Sequence, residues 1–262
     1  MSTLSLAVRD SSTMLRRNLL HMRRYPSMTF LLIGIPIIIL LLFVYVFGGT
    51  LGAGLGPSGD RSQYANYVTP GILLITVVSA AQGTAISVAM DMTEGIIARF
   101  RTMSIFRPSV LTGHVLGSLV QTMLSLVAVI LVALLVGFRP NANAVEWLAA
   151  IGVLAMVTFA LTWLSVALGL VSDSVETASN LPMPLILLPF LGSGFVPTDS
   201  MPTAVRWFAD YQPFTPVMET LRGLLLGTGI GANGIIAVVW CAVITVGCFL
   251  WAKALYNRNR TA

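Results

Sequence analysis

Residues 29–47 read TFLLIGIPIIILLLFVYVF, a run of nineteen residues without one charged side chain. A bilayer has a hydrocarbon core about 30 Å thick, which requires roughly 20 apolar residues in a helix. This stretch therefore predicts a membrane-spanning helix. Four other stretches have comparable length and composition, at residues 68–90, 116–136, 147–171 and 235–254. Together they predict an all-α integral membrane protein.

A sixth span is predicted at residues 176–195, where the sequence is less regular. Its apolar part, 181–195, is short and contains three prolines. At about 1.5 Å per residue, this part alone does not cross the bilayer. It must be extended by its polar flank, 176–180, or stop part-way. We count it as a span because five spans would place the basic C-terminus opposite the basic N-terminus.

The composition excludes a soluble protein. Of 262 residues, 56% are apolar and only 10% are charged, whereas soluble domains have about 25% charged residues. So few charges cannot cover a globule with a solvated surface, and the apolar content also excludes intrinsic disorder. The net charge of +5 lies at the ends of the apolar runs. We attribute it to membrane topology and expect no nucleic-acid partner.

The Lys and Arg residues are distributed unevenly around the six predicted spans. Eleven of the fifteen lie in the N-terminal segment, the loop after the second span and the C-terminus. Both termini are therefore predicted to be cytoplasmic. The chain divides into an interface helix (1–27), a transmembrane domain (28–256) and a tail (257–262). The domain contains a cytoplasmic loop (91–115) and an outer segment (196–234).

The N-terminal segment predicts an amphipathic helix in the cytoplasmic interface. Its apolar residues repeat at three- and four-residue steps, with arginines every seven residues beside them. Two interpretations remain open for this helix. It is a membrane anchor only, or it also contacts a cytoplasmic partner.

The cytoplasmic loop at 91–115 is too long for a simple turn. Its apolar residues alternate with Glu94, Arg99 and Arg101 at helical spacing. Pro108 fits the first turn of a further short helix. Such amphipathic helices form either a solvated face or a docking surface, and we predict a docking surface.

Polar residues within the spans concentrate in the second one. These are Thr76, Ser79, Gln82, Thr84 and Ser87, with Gln121 near the start of the third span. Such residues often bond to a preceding carbonyl or a neighbouring helix, or they line a translocation path. Gln82, near mid-membrane, is the strongest path or interface candidate. No charged residue lies deep in a span, which argues against a proton- or ion-coupled transporter.

The outer segment predicts a re-entrant or interface-lying pair of helices. Pro213 and Pro216 precede an apolar-rich stretch at 217–226 that is too short to span the membrane. Within it, Glu219 and Arg222 are three residues apart and can pair on one helical face.

The sequence contains no recognisable catalytic or metal-binding motif. The two histidines, His21 and His114, both lie near the predicted cytoplasmic interface. A P-loop needs the sequence G-K-[ST], but the single lysine, Lys253, stands between two alanines. We therefore predict that this chain is not an enzyme and binds no cofactor or metal. If ATP drives the protein, another chain must bind it.

Eight stretches of the sequence form an ordered set of motifs. They are RRYP (23–26), YVFGG (45–49), YANYVTPGIL (64–73), MTEGIIARFR (92–101), RPSVLTG (107–113), SGFVP (193–197), MP (201–202) and PFTPVMETLRGLLLG (213–227). Together they resemble the ABC-2 type permease family, in particular its daunorubicin-resistance-like drug exporters. The match runs from about residue 16 to 256, and its order and spacing make it specific.

This resemblance implies a half-transporter that pairs with a second permease, identical or different, and with two cytoplasmic ABC ATPase subunits that carry ATP and Mg. The coupling helix of the family maps onto residues 94–113, and the second and fifth helices face the central path. His114 stands where many relatives carry arginine, so it either anchors the loop or touches the ATPase. The implied ATPase contacts are Glu94, Gly95, Arg99, Arg101, Arg107 and Pro108.

The resulting prediction is the permease subunit of an ATP-driven exporter in the bacterial plasma membrane. Its substrate would be amphipathic or hydrophobic, such as a drug, an antibiotic, a polyketide or a lipid. Two other classes remain open: a standalone channel or secondary transporter, and a membrane-embedded enzyme acting on lipids.

Overall fold

The computed structural model describes residues 12–13, 15–17, 20, 26–53, 60–95 and 108–258. All regular secondary structure within these residues is helical, which confirms the predicted all-α fold class. The helices are α1 (Pro26–Leu41, continued by π-helical Leu42–Phe47 and α-helical Gly48–Ala53), α2 (Arg61–Thr93), α3 (Pro108–Val136), α4 (Ala144–Val171), α5 (Val175–Asn180), α6 (Met183–Leu187), α7 (Thr203–Tyr211), α8 (Phe214–Leu226) and α9 (Asn233–Arg258).

Five helices in the described part of the chain are long and apolar enough to cross a membrane: α1, α2, α3, α4 and α9. They contain the five regular spans predicted from the sequence. Polar caps fix where two of them begin. Asp60 accepts a hydrogen bond from the Gln63 backbone at the start of α2, and Asn143 forms a capping box with Glu146 at the start of α4.

Residues 176–195 do not form the continuous helix that a regular span would have. The short helices α5 and α6 are followed by turns as far as residue 195. Pro182, Pro184 and Pro189 lack a backbone donor and clash with the preceding turn of a helix, which explains the interruptions. The number of membrane spans therefore stays a prediction.

Helices α2, α4 and α9 lie side by side and run in the same direction. The backbone of Gly169 lies against Ala85, and the rings of Trp163 and Phe249 are 4.9 Å apart. The ends of these helices meet the start of α3 in a buried apolar cluster that includes Val88, Val115 and Tyr256. We call this end of the bundle the Asp91 end, and the opposite end the Arg222 end.

Helices α1 and α3 begin at the Asp91 end and run in the opposite direction. Thr29, near the start of α1, accepts a hydrogen bond from Gln121 in the middle of α3, with 3.3 Å between the side-chain atoms. At the Arg222 end, Ser62 near the start of α2 donates to the Gly137 carbonyl just after α3. The direction of each helix thus alternates along the chain from α1 to α4.

The segment from α5 to residue 195 returns the chain toward the Arg222 end. Its Ser179 carbonyl accepts a hydrogen bond from Gln82, and its Phe195 carbonyl accepts one from Tyr64. Eighteen residues separate Tyr64 and Gln82 on α2, a distance of about 27 Å along the helix. The chain therefore passes along α2 between the end of α4 and the start of α9, although it does so without a continuous helix.

The two helices of the outer segment have different surroundings. Eleven of the thirteen residues of α8 are buried, and α8 packs against α2, α4 and α9. In α7, by contrast, only Ala209 is buried, and Trp207 and Tyr211 are exposed. The predicted pair of helices thus consists of one inserted helix and one surface helix.

Replacing Gly71 by alanine is expected to separate the turn at residues 192–195 from α2. A Cβ at this position would lie 2.9 Å from the Gly194 carbonyl oxygen and 3.0 Å from its Cα. Backbone atoms cannot rotate away, so we expect a loss of about 1–3 kcal/mol of stability. The control is Gly83→Ala in the same helix, where nothing lies within 4 Å. Equal melting temperatures of the two variants in detergent would contradict this packing.

Candidate functional site

Four long polar side chains hydrogen-bond to backbone carbonyls in the interrupted segment 175–195. We call them the tether side chains. At membrane depth an unpaired carbonyl costs several kcal/mol, so irregular backbone needs donors from elsewhere in the protein. The four bonds are Gln82 Nε2 to Ser179 O at 2.7 Å, Gln212 Nε2 to Leu188 O at 3.0 Å, Arg222 Nη2 to Ser193 O at 2.8 Å and Tyr64 Oη to Phe195 O at 3.3 Å.

Arg222 connects α8 to both α2 and the interrupted segment. It is only 7% exposed, and its Nη2 also donates to the Tyr67 carbonyl at 3.2 Å. Its guanidinium lies 4.0 Å from the centroid of the Tyr67 ring, a cation–π contact. The ion pair predicted between Glu219 and Arg222 is confirmed. The buried positive charge therefore has a carboxylate, an aromatic face and two carbonyls as partners.

Pro213 and Pro216 lie where α8 enters the bundle. Pro213 directly precedes the first residue of the helix, and Pro216 lies in its first turn. Proline is tolerated there because the first backbone N–H groups of a helix have no partner within it. At its other end, α8 terminates at Gly227, whose φ of +73° favours glycine. Both ends of the inserted helix are thus set by the local sequence.

Two predicted path residues, Thr76 and Thr84, are fully buried between helices. Their hydroxyls donate to the carbonyls of Ile72 at 2.9 Å and Ala80 at 3.1 Å. The Thr84 hydroxyl also lies 2.6 Å from the Ser118 hydroxyl of α3 and can accept a hydrogen bond from it. These contacts match the structural interpretation of hydroxyls in membrane helices.

The other predicted path residues of α2 lie on one stripe of the helix. Ser79, Gln82 and Ser87 are partly exposed, and Gly83 beside them is exposed. The amide of Gln82 is satisfied by the carbonyl of Ser179, as described above. Gln121 lies on α3 and contacts α1 instead, so it does not share this stripe. A translocation path along these residues stays a prediction.

The described coupling residues among those predicted fall at the two edges of the loop at 91–115, which was predicted to be cytoplasmic. Glu94 and Gly95 form a turn after α2 in which Glu94 is exposed, and Gly95 has a φ of +69°, a conformation that favours glycine. Pro108 is the first residue of α3. Arg99, Arg101 and Arg107 lie outside the described residues, as does most of the predicted interface helix at 1–27.

Sequence reasoning missed a buried cluster of charged and polar side chains at the two ends of this loop. Asp91, in the last turn of α2, is 6% exposed and receives hydrogen bonds from Arg17 at 2.8 Å and His114 at 3.0 Å. His114 is 7% exposed, so of its two predicted roles the structure supports anchoring the loop. The signal was available, because Asp91 is the only acidic residue in the sequence of α2.

Metal ligands do not cluster in the described part of the chain, where no three His, Cys, Asp or Glu side chains form a possible site. The buried polar side chains described above hydrogen-bond to one another or to backbone carbonyls, although Oε1 of Gln212 and Nε of Arg222 have no partner among the described residues. The tether side chains hold the interrupted segment against α2. At the Asp91 end of the bundle, the hydrogen bonds of Asp91 connect the end of α2 to the start of α3.

Residues 10–226 match the ABC-2 type transporter family. The chain therefore belongs to this family, as its sequence motifs predicted, and it is a multi-pass membrane protein. It belongs to the class of permease subunits of ABC transporters.

Among its relatives, it is 28% identical to the daunorubicin resistance ABC transporter permease protein DrrB1 of Streptomyces coeruleorubidus, over 97% of this chain and 88% of that protein. It is 23% identical to the probable doxorubicin resistance ABC transporter permease protein DrrC of Mycobacterium tuberculosis, over 86% and 81% of the two chains.

A more distant similarity involves a much longer protein. The chain is 26% identical to ABC transporter G family member 20 of Dictyostelium discoideum over 71% of its own length, which is 25% of that protein. In that alignment this chain therefore corresponds to one part of a larger polypeptide.

Proposed function

We propose that this chain is the membrane subunit of an exporter that moves an amphipathic or hydrophobic molecule out of a bacterial cell. A drug, an antibiotic, a polyketide or a lipid would fit this description. The observation that carries the proposal is the similarity, over nearly the whole chain, to a permease named for daunorubicin resistance.

The proposal includes a second permease, because part of the interrupted segment is uncovered. Leu181, Met183, Leu187 and Leu191 are exposed in a stretch whose backbone is irregular. Irregular backbone at membrane depth is tolerated where protein buries it or where it lines a cavity. A second copy or a related permease facing this surface would meet that requirement and enclose the path.

The proposal also includes two cytoplasmic ABC ATPase subunits, which would bind ATP and Mg. The sequence of this chain has no P-loop lysine. ATP binding would close the two ATPases, and their motion would displace residues 91–115. The helices would then switch a central cavity from inward to outward access.

We further propose that the Asp91 end faces the cytoplasm and that the chain crosses the membrane six times. Four of the fifteen basic residues lie in segments predicted to be outside the cell, namely Arg61, Arg139, Arg206 and Arg222. The other eleven lie in segments predicted to be cytoplasmic. The return of the chain along α2 between α4 and α9 supports an even number of crossings. Both termini would then be cytoplasmic.

The experiment that tests the proposed function is affinity purification of the tagged protein in mild detergent, with mass spectrometry of every co-purified chain. We expect a stoichiometric ATPase that contains a P-loop, and either a second permease or a homodimer. A monodisperse single chain without an ATPase would contradict the exporter proposal and favour a channel or a secondary transporter.

Reversing the charge of Arg101 is expected to uncouple ATP hydrolysis by the ATPase subunits from the permease. In the purified complex, we expect Arg101→Glu to abolish most of the permease-dependent stimulation of ATP hydrolysis while membrane insertion is retained. The physical reason is the loss of a charged contact at the docking surface and the repulsion of its partner carboxylate. The control is Arg206→Glu, on the outer surface helix. If the Arg101→Glu permease stimulates ATP hydrolysis as strongly as wild type, the predicted contact is wrong.

A further inference from the structure

We infer that Asp91 is a positioning residue that joins the N-terminal segment to both ends of the coupling loop, by which we mean residues 94–113, so that the three move as one unit. The inference rests on the proposed function, since it assigns a role within the coupling of this permease to its ATPases. It concerns a cluster of Arg17, Asp91 and His114 that none of the sequence motifs contains.

The geometry of the cluster uses both oxygens of the Asp91 carboxylate. Nη2 of Arg17 lies 2.8 Å from Oδ1 and 3.1 Å from Oδ2, and Nε2 of His114 lies 3.0 Å from Oδ2. The side chains of Asp91 and His114 are almost fully buried, whereas that of Arg17 is partly exposed. Arg17 thus reaches the buried carboxylate from the surface.

The three residues come from three separate parts of the chain. Asp91 is three residues before Glu94, where α2 gives way to the coupling loop, and His114 lies in the second turn of α3, just after the loop. Arg17 lies 74 residues before Asp91. The carboxylate therefore connects the entry and the exit of the loop to the N-terminal segment.

These connections resist separation because the carboxylate is buried. Removing one partner from a buried carboxylate leaves a desolvated charge with less compensation, which is strongly unfavourable. A displacement of the coupling loop would therefore move all three elements together. The cluster lies beside the apolar cluster formed by Val88, Val115 and Tyr256, so this movement would reach α9 as well.

This arrangement bears on the two roles left open for the N-terminal segment. A mere membrane anchor would need apolar contacts with lipid and no bond to the end of α2. Arg17 instead donates two hydrogen bonds to the residue that precedes the coupling loop. The N-terminal segment is thus part of the coupling unit, and motion received by the loop is shared with it.

The test uses the purified complex of the permease with its co-purifying ATPase in lipid nanodiscs. Asp91→Asn keeps the shape of the side chain but removes its charge, and Arg17→Gln removes the cation. We expect each to lower the permease-dependent kcat for ATP hydrolysis at least five-fold. The KM for ATP and the amount of bound ATPase should stay within two-fold of wild type, because neither the nucleotide site nor the docking surface is altered.

Exchanging the two charges distinguishes loss of the ion pair from a general loss of folding. The double variant Arg17→Asp with Asp91→Arg restores an ion pair between the same two positions, and a ring nitrogen of His114 can accept a hydrogen bond from the introduced guanidinium. We expect it to recover at least half of the wild-type kcat. Asp173→Asn, an exposed carboxylate between α4 and α5, is the matched control and should leave kcat unchanged.

Three results would overturn the inference. The first is a normal kcat for Asp91→Asn, and the second is no recovery of kcat in a monodisperse double variant. The third is an equal kcat for His114→Gln and His114→Leu, because glutamine keeps a donor near the Nε2 position and leucine does not. The last comparison applies even where the Asp91 variants fail to assemble. Absence of any ATPase from the wild-type preparation would instead overturn the proposed function, and this inference with it.

Discussion

Replacing Gly169 by alanine is expected to destabilise the protein strongly. The added Cβ would lie 2.7 Å from the Ala85 carbonyl oxygen and 2.9 Å from the Val88 Cβ, where α4 packs against α2. These are backbone and Cβ atoms, so relief requires the two most buried of the long helices to move apart. We expect a loss of about 3 kcal/mol, at the upper end for overpacking, and a melting temperature lower by roughly 6–12 °C.

The matched control for this variant is Gly152→Ala in the same helix. Nothing lies within 4 Å of a Cβ at that position, and alanine forms helices better than glycine. We therefore expect no loss of stability, or a small gain. Thermal unfolding of both variants in detergent measures the difference. A Gly169→Ala variant that melts at the same temperature as Gly152→Ala would show that the two helices are not packed this closely.

Removing the Arg222 side chain is expected to release α8 from the interrupted segment. Arg222→Ala loses the ion pair with Glu219, and it leaves the carbonyls of Tyr67 and Ser193 without this donor. The expected cost is about 3 kcal/mol, at the low end for breaking a buried pair because Glu219 is partly exposed and can be solvated. Thermal unfolding and the yield of monodisperse protein measure it.

The matched control is Arg206→Ala, which removes the same side chain from the exposed helix α7. Arg206 pairs with Asp199 and Asp210 at the surface, and such pairs contribute about 0–1 kcal/mol. Arg222→Lys should fall between wild type and Arg222→Ala, because an ammonium keeps the charge but lacks the planar fork. Equal stabilities of Arg222→Ala and Arg206→Ala would mean that burial of Arg222 contributes nothing.

The fold class and five long helices were predictable because each rests on a local property, the length of an apolar run. The interrupted segment was only partly predictable. Its prolines signalled that residues 176–195 are irregular, but the path that such a chain takes depends on partners far away in the sequence. Gln82 shows the difference, since its amide was recognised as costly to leave unpaired, while its partner Ser179 lies 97 residues further on.

The candidate site was predictable to the same extent. The pair of Glu219 and Arg222 follows from helical spacing and could be identified directly. The contacts of Arg222 with Tyr67 and of Arg17 with Asp91 join residues 155 and 74 positions apart. No local pattern encodes such pairings, and only the packing of the helices brings them together.

The tether side chains also impose an order on folding while the protein is being synthesised. Tyr64 and Gln82 are made before the interrupted segment, whereas Gln212 and Arg222 emerge after it. Until α8 has been made and has packed, the carbonyls of Leu188 and Ser193 lack these donors, a state that lipid does not tolerate well. The segment therefore completes its hydrogen bonds only once α8 has packed, although it precedes α8 in the chain.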